Sequence, residues 1–473
     1  MPRGIVASLL LAFCLLGGVP ATAAQSLPRP VAAALKTHGL DGSGVSVFVQ
    51  AVDADAPVLA FNEQVVRSPA SVIKLLTTYA ALDILGPAYR WETGVLVTGP
   101  VRDGRLEGDL VLRGGGDPGL GTERFWTLLR EIRARGIREI AGDLVIDDTL
   151  FAASGETPGE FDRQPYRAYN VLPNAMLVNS NAVEFRVMRD GPRVSIYMDP
   201  PLHDFRVENR VKSRQGNCAG FQRGVAFHLP EGFEGRHAIL SGAFPSACEN
   251  YSLWRSVLPA PQFTDALFRS LWAQLGGRIE GGLRVEPAPD DARELLVFRS
   301  LPLNEQLRHI NKWSNNPMTR HLLLTLGLEH AGAPATAEKG RAAIEAWLAE
   351  RKLAMPGLFL ENGSGLSRRS RVTAAGLGRM LLDAWQHPQM ADLVSSLPIS
   401  ALDGTLRRRY NGAMAGQATL KTGRLDDVAA IAGLVRSRSG VRHVVVVMVN
   451  ATDAHRGSGM AVQDTVLRWV FER

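Results

Sequence analysis

The chain has 473 residues, enough for two or three domains, and its 45% hydrophobic and 21% charged residues are typical of an ordinary soluble globular protein. The formal net charge of +6 at pH 7 is mild, and it favours an anionic partner such as a cell-wall polymer or a membrane surface. This charge is too diffuse to indicate nucleic-acid binding, and no basic run is interleaved with aromatic residues.

The first two dozen residues differ in composition from the rest of the chain. Arg3 provides a positive start, residues 4–19 are uncharged and mostly apolar, and residues 21–24 are small. This pattern predicts a secretory signal peptide at residues 1–24, cleaved after Ala23 or Ala24. The alternative is an N-terminal membrane anchor, but the apolar run is short for a span of about 20 residues. No other segment is long and apolar enough to cross a membrane, so we expect a periplasmic protein with loose or no membrane association.

Cysteine use fits an exported protein. Removal of the signal peptide would leave Cys218 and Cys248. In an oxidising compartment two cysteines can form a disulfide, and the alternative is a pair of free thiols. The predicted export favours the disulfide.

The predicted elements begin with a β-hairpin. Residues 45–52 and 57–62 have the composition of strands, and residues 53–56 form the turn between them. A loop then leads into an apolar helix near Pro69, whose missing N–H suits the first helical position. Apolar residues at helical spacing continue to Leu82 and predict one buried face on this helix.

The pattern of residue types changes in the middle of the chain. From about Thr93 to Ala260, short strands are separated by Gly, Pro and Asp, with one helix near residues 123–135. Helical periodicity returns at residues 263–275, 303–310, 317–326 and 339–348. Three strands at 416–422, 428–435 and 443–450 and a helix at 460–471 close the chain. Because strands from both ends of a chain can share one sheet, we expect one domain built from the two ends, with the middle as an insertion.

The tetrad Ser71-Val72-Ile73-Lys74 lies at the start of the apolar helix. Ser71 falls in the first turn, near the positive end of the helix dipole, and Lys74 lies on the same face three residues later. A serine beside an amine that can take its proton is an activated nucleophile. The alternative is a capping serine followed by a surface lysine, because about one or two S-x-x-K tetrads are expected by chance in a chain of this length.

Two further motifs support the catalytic interpretation. Ser314-Asn315-Asn316 stands just before a predicted helix, and Lys421-Thr422-Gly423 stands at the end of a predicted strand. Each alone could be an ordinary cap or strand end. Each is also the only S-x-N or K-T-G in the chain, and their order after S-x-x-K is that of the penicillin-recognising serine acyl-transferases.

With these motifs the chain resembles the low-molecular-mass penicillin-binding proteins of the D-alanyl-D-alanine carboxypeptidase/endopeptidase type, the penicillin-binding protein 4 class. The resemblance covers essentially the whole predicted mature chain, and further motifs of the class stand at residues 68–71, 114–118, 142–147, 363–368 and 403–406. It implies an α+β fold whose transpeptidase domain, an antiparallel sheet covered by helices, comprises residues 25–92 and 261–473. It also implies a β-rich, two-part insert, with domain II at 93–170 and 241–260 and a nested domain III at 171–240.

The resemblance also implies the chemistry, which needs no cofactor or metal. Ser71 would attack the D-Ala–D-Ala bond of a peptidoglycan stem peptide, or a D-Ala cross-link, and form an acyl-enzyme. Lys74 would take the serine proton, and burial together with the charge of Lys421 would keep it neutral. Ser314 would relay a proton to the leaving amine, and Asn316 would hold Lys74 and bind a substrate amide. β-Lactams would act as covalent inhibitors.

Substrate binding is expected along the last motif. Lys421 and Thr422 would bind the terminal carboxylate, and Gly423 would let the peptide lie close to the strand edge. The backbone N–H groups of Ser71 and Arg424 would form the oxyanion hole.

Two positions depart from the family pattern, and a third is assigned by analogy. Arg424 replaces a small polar residue, and Glu361-Asn362 stands where the family commonly has Asp. Asp162 is the candidate for the acidic residue on the insert that reads the free amine of the stem peptide, and the alternative is a solvated loop Asp.

Two other functions are considered. A β-lactamase of class A would need a glutamate to activate water, and no matching motif is found. A non-catalytic wall-binding protein is disfavoured because all three motifs are intact. The sequence leaves open the balance of carboxypeptidase and endopeptidase activity, the diamino acid recognised, and the oligomeric state, with a dimer as one option.

Overall fold

The computed structural model describes residues 26–218 and 224–473, so the predicted signal peptide at 1–24 lies outside the described residues. The α-helices found there, in chain order, are α1 Arg29–Thr37, α2 Lys74–Leu85, α3 Thr122–Ala134, α4 Ala260–Gln274, α5 Leu303–Trp313, α6 Asn316–Ala331, α7 Ala337–Glu350, α8 Ala374–Gln386, α9 Met390–Ser396 and α10 Ser458–Phe471. None of them combines the length and apolar composition needed to cross a membrane.

The strands of the same residues are numbered in chain order too. They are β1 Val45–Ala51, β2 Leu59–Phe61, β3 Glu92–Val97, β4 Val101–Arg102, β5 Arg105–Leu106, β6 Leu110–Arg113, β7 Glu139–Ile140, β8 Leu144–Asp147, β9 Val183–Asp190, β10 Arg193–Asp199, β11 Arg206–Arg214, β12 Val225–His228, β13 His237–Pro245, β14 Asn250–Arg255, β15 Arg278–Ile279, β16 Leu283–Val285, β17 Arg293–Arg299, β18 Ala418–Leu425, β19 Val428–Arg436 and β20 Arg442–Asn450. The chain therefore has the α+β composition that the sequence predicted.

One antiparallel sheet joins the two ends of the chain. Its strand order is β18-β19-β20-β1-β2, and β1 pairs with β20 from Val45 opposite Val449 to Ala51 opposite His443. Alternate residues of β20 pack on opposite sides, one with α1 and α10 and the other with the helices around α2 and α8. Because both faces are covered, β20 reads as an almost unbroken apolar run.

Helix α2 lies in the centre of the helical layer. Its residues from Lys74 to Leu82 are all buried, because α5, α6, α7, α8 and α9 surround it. The sequence predicted that only one face of this helix is buried, whereas the structure buries all of its faces over these residues. The lysine that begins the helix is thereby placed in an apolar interior.

The middle of the chain forms four further sheets. Their orders are β15-β7-β5-β4, β16-β8-β6-β3-β17, β10-β9-β14 and β11-β13-β12. One hydrophobic core runs through these sheets together with α3 and α4. The middle of the chain is therefore rich in β structure, and it includes parallel pairs such as β11 with β13 and β6 with β8.

The strand pairing departs from the expected segment boundaries. Residues 293–299 pair with β3, and residues 283–285 pair with β8, although the sequence placed everything after residue 260 with the end-built domain. In the nested part, β13 continues to Pro245, and β14 at 250–255 pairs with β9, so pairing extends beyond the expected limit at residue 240. The partners of these strands are distant in sequence, and composition does not reveal such pairing.

Two smaller points complete the comparison with the sequence. Cys218 and Cys248 form a disulfide, with their Cα atoms 4.9 Å apart, so the bridged alternative is the one observed. The strand expected to end at Lys421-Thr422-Gly423 continues as β18 to Leu425, so the K-T-G motif lies inside the strand. Within the sheet that joins the two chain ends β18 is an edge strand, and among the residues that the structure describes only 398–400 pair with its outer side, at its first residues.

Candidate active site

Ser71 lies in a short 3-10 turn, Ala70–Ile73, that leads directly into α2. The preceding Ala70 has φ of +45°, a left-handed conformation that an L-residue holds only when its surroundings impose it. Asn450, at the end of β20, fixes the chain just upstream. Its Oδ1 accepts a hydrogen bond from Ser68 N at 2.8 Å, and its Nδ2 donates to Ser68 O at 3.1 Å. The turn of Ser71 is thus held by a strand from the other end of the chain.

Lys74 is fully buried and faces Ser71. Its Nζ lies 3.2 Å from Ser71 Oγ and 2.7 Å from Asn316 Oδ1, and it also donates to the carbonyl oxygen of Ser364. Burial lowers the pKa of Lys74 well below its ordinary value, and the positive charge of Lys421 lowers it further. A neutral amine beside the hydroxyl is the state required of a general base.

A second buried lysine stands on the edge strand. Lys421 Nζ donates to Ser314 Oγ at 2.9 Å and to the carbonyl oxygen of Thr422 at 2.9 Å. Burial lowers its pKa to about 7. Ser314 occupies the loop between α5 and α6 with φ of +57°, a bend that turns its hydroxyl toward Lys421 and lets Asn316 begin α6.

Gly423 brings the edge strand against the turn of Ser71. A Cβ at residue 423 would lie 2.7 Å from Pro69 O, closer than such atoms can stand, and only 3.1 Å from Ser71 N. The next side chain outward is Thr422, whose hydroxyl donates to Thr405 Oγ1 at 2.8 Å. Glycine is therefore required here by close approach of two backbones.

The side chains of two predicted residues, Asp162 and Arg424, take no part in the hydrogen bonds described above for this cluster. Asp162 is engaged within its own loop, where its carboxylate accepts hydrogen bonds from Tyr169 OH at 2.8 Å and from Asn170 Nδ2 at 2.7 Å. That loop does reach the cluster, because the carbonyl oxygen of Tyr169 accepts a bond from Asn316 Nδ2 at 3.2 Å. Arg424 is exposed, and its backbone pairs with Ala429 in β19.

The Glu361-Asn362 departure leaves the local turn intact. Asn362 Oδ1 accepts hydrogen bonds from Ser364 N at 3.1 Å and from Ser364 Oγ at 2.9 Å. This turn directs the Ser364 carbonyl at Lys74. Gly365, with φ of +76°, lies so close to the carbonyl of Ala70 that a Cβ would overlap it. The motif at residues 363–368 was recognised in the sequence, but the contact of the Ser364 carbonyl with Lys74 was not. Every residue has a backbone carbonyl, so such a contact cannot be predicted from residue type.

One group of side chains away from Ser71 has the composition of a cation site. The ligand atoms of Asp427, Asp453 and His455 lie within 4.8 Å of one another. They already serve the local turns, because Asp453 N donates to Asp427 Oδ1 at 2.8 Å and Asp427 N donates to His455 Nδ1 at 2.9 Å. These backbone bonds account for the cluster without an ion.

Comparison with known proteins agrees with this geometry. A D-alanyl-D-alanine carboxypeptidase of Actinomadura sp. (strain R39) is 30% identical over 97% of this chain and 88% of that protein. D-alanyl-D-alanine carboxypeptidase DacB of Haemophilus influenzae is 24% identical over 87% of this chain and 86% of its own.

Solved structures show the same fold. Penicillin-binding protein 4 of H. influenzae covers 94% of this chain and 99% of its own, at 21% identity and a TM-score of 0.76. Its complex with a β-lactam matches with a TM-score of 0.73, at 21% identity over 94% of this chain and 100% of that one. Residues 27–469 match the profile of the D-Ala-D-Ala carboxypeptidase 3 (S13) family, as the resemblance predicted. The chain therefore belongs to this family and is a serine-type D-Ala-D-Ala carboxypeptidase.

Proposed function

We propose that this protein is a periplasmic D-alanyl-D-alanine carboxypeptidase and D,D-endopeptidase that acts on peptidoglycan stem peptides through an acyl-enzyme at Ser71. The observation that supports it most directly is the 3.2 Å distance between Ser71 Oγ and the amine of Lys74, whose pKa burial lowers. The intact contacts of Lys74 with Asn316 and of Lys421 with Ser314 favour an enzyme over a non-catalytic wall-binding protein.

Acylation begins when Lys74 takes the proton of the Ser71 hydroxyl. The Ser71 oxygen bonds to the carbonyl carbon of the D-Ala bond, and the backbone N–H groups of Ser71 and Arg424 stabilise the oxyanion. The C–N bond then breaks as Ser314 gives its hydroxyl proton to the leaving amine and takes in its place the proton held by Lys74, which becomes neutral again. Water later attacks the ester, releases the shortened peptide and returns the proton to Ser71.

Substrate orientation follows from the charges and the edge strand. The ammonium of Lys421 and the hydroxyl of Thr422 bind the terminal carboxylate, and the peptide pairs with the outer edge of β18 beside Gly423. Asn316 holds Lys74 and binds a substrate amide. Asp162 reads the free amine of the stem peptide after giving up its bond to Tyr169, and the long side chain of Arg424 lines the entrance.

Labelling with fluorescent penicillin tests this proposal, because the same serine would open the β-lactam ring and keep the acyl group. We expect one covalent adduct per wild-type chain at Ser71 and none in Ser71→Ala. Ser43→Ala, an exposed serine away from the site, is the matched control and should label like wild type. Equal labelling of Ser71→Ala and wild type would refute the proposal. Digestion of defined muropeptides would then show which bond is cut.

A further inference from the structure

A groove leads away from the reacting groups on the side of Ser314. Its volume is about 790 Å³, and Ser314 and Asn316 are themselves part of its lining. Farther out its walls include Trp313, at the end of α5, and Trp254, on β14 of the nested sheet. These two tryptophans are 58% and 48% exposed. Large apolar side chains left open along one groove are typical of a surface that contacts a ligand.

The floor of the groove is held in place before any ligand arrives. Gln306 is buried there, and its Nε2 donates to Asp117 Oδ1 at 3.1 Å and to the carbonyl of Leu301 at 3.0 Å. The same carboxylate oxygen accepts a hydrogen bond from Gly119 N at 2.9 Å. These bonds tie the insert to α5, so the two walls keep a fixed separation. A preformed groove of this size is within the range of roughly 300–1,000 Å³ common for ligand sites.

The position of the groove fits the leaving half of the substrate. In the proposed mechanism Ser314 gives its proton to the leaving amine, so whatever is bonded to that amine lies beside Ser314. A terminal D-alanine ends there with its carboxylate near Lys421 and needs no further space. In a cross-linked substrate the leaving amine belongs to the side chain of a diamino acid, and a second stem peptide continues from it.

We infer that this groove binds the leaving stem peptide of a cross-linked substrate and so promotes endopeptidase activity. The inference rests on the proposed function and extends it to the far side of the scissile bond. Trp254 and Trp313 pack on the aliphatic stems and amide planes of the peptide. The nested sheet thereby contributes Trp254 to the active-site cleft. Charged side chains in the lining are few, namely Glu123 and Arg124, with His309 beside them.

Alanine variants of the two tryptophans test the inference. Trp254→Ala and Trp313→Ala are compared with wild type and with Trp126→Ala, a surface tryptophan on α3 that does not line the groove. The substrates are a monomeric pentapeptide stem and a cross-linked peptide dimer, both without saccharides, and penicillin acylation reports an intact site. We expect each groove variant to lower the ratio of kcat/KM for the dimer to that for the monomer about tenfold, as loss of a buried aromatic anchor does. Trp126→Ala should keep the wild-type ratio.

Several results would overturn the inference. An unchanged ratio in both groove variants, or an equal fall for monomer and dimer, would show that the groove does not read the leaving peptide. A fall that occurs only when disaccharides are attached to the dimer would assign the groove to the glycan. Wild-type protein that binds penicillin and cuts the monomer but not the dimer would also contradict it. Absence of labelling at Ser71 would instead refute the proposed function.

Discussion

In the proposed mechanism, the charge on Lys421 binds the terminal carboxylate of the substrate. This lysine is buried between Ser314 and the backbone of Thr422, and burial lowers its pKa to about 7. Because kcat/KM reports the ionisation of the free enzyme, it should fall as the pH rises above about 7, where Lys421 loses its proton. The pH profile of stem-peptide hydrolysis measures this decline.

A matched substrate isolates the cause of that alkaline decline. A stem peptide that ends in a carboxamide has no negative charge for Lys421 to bind, so its kcat/KM should lack the decline. The same decline for both peptides would contradict the assignment of Lys421 to the carboxylate.

Lys421 should also reduce the stability of the fold. In the unfolded chain a lysine keeps its ordinary pKa of 10.5, whereas the folded protein holds this group at about 7. The folded state therefore binds the proton less well, so its destabilisation is greatest below about pH 7 and disappears above 10.5. We expect Lys421→Met to raise the free energy of unfolding by about 1–3 kcal/mol at neutral pH, with a smaller gain at higher pH.

Denaturant unfolding at several pH values measures this gain. Lys36→Met, at an exposed lysine on α1, is the control and should change the midpoint little. A Lys421→Met protein that is less stable than wild type at neutral pH, or a gain that does not depend on pH, would contradict the prediction.

The sequence predicted which residues belong to the candidate site better than it predicted their contacts. The three motifs led to Ser71, Lys74 and Lys421 because each occurs once and their order along the chain is that of the penicillin-recognising serine acyl-transferases. Asn450 was not predicted, because its bond to Ser68 depends on the register of β1 and β20 and not on any local pattern. The hydrogen bonds of Asp162 to Tyr169 and Asn170 were also not predicted, because they depend on the conformation of its own loop, and the role of Asp162 stays a prediction.

At the scale of elements, β18 packs so closely against the turn of Ser71 that residue 423 has to be glycine. A methyl group at residue 423 would push β18 away from Pro69 and from the N–H of Ser71. Since that N–H is an expected oxyanion donor, Gly423→Ala should slow penicillin acylation by about 10²–10³-fold. Stopped-flow acylation with a fluorescent penicillin measures this rate.

Gly282→Ala is a suitable control for that variant. A Cβ there would meet only Asp143 Oδ1, at 3.9 Å, so acylation should proceed at the wild-type rate. If Gly423→Ala were acylated as fast as wild type, the close approach would not matter to the site.

The sequence predicted most of the end-built elements and fewer of those in the insert. Periodicity located β1, β19, β20 and α10 because these elements are long and strongly apolar. It did not locate β15 and β16, which have two and three residues, or the short α9. The conformation of elements this short is determined by the segments they pair or pack with, so their own residue types predict it poorly.

At the scale of the whole molecule, the pairing of β16 and β17 changes the division of the chain. We propose that the insert extends from about residue 92 to about residue 299, and that the nested part includes residues 183–255. The pairing of β17 with β3 and of β14 with β9 supports these limits.

The disulfide should stabilise the nested part and leave unaffected the sheet β18-β19-β20-β1-β2 that joins the two chain ends. Cys218 and Cys248 are 30 residues apart, and a loop of that size is worth about 3.6 kcal/mol in chain entropy. In Cys218→Ala/Cys248→Ala we expect faster hydrogen exchange in β11–β14 with penicillin acylation retained. Mass spectrometry of exchanging peptides measures the first and adduct formation the second. Loss of acylation together with unchanged exchange would contradict this assignment.

The hydrogen bonds between Asn450 and Ser68 have a consequence for how the newly synthesised chain folds. The two residues are 382 positions apart, and β1 likewise pairs with the late strand β20. During synthesis the segment with Ser71 emerges early, yet its turn cannot take its final shape until residue 450 has followed. The insert, whose strands find their partners among residues 92–299, can fold in the meantime. In a nascent chain the proposed nucleophile Ser71 therefore lacks its final conformation, and we expect a chain that lacks β20 to be inactive.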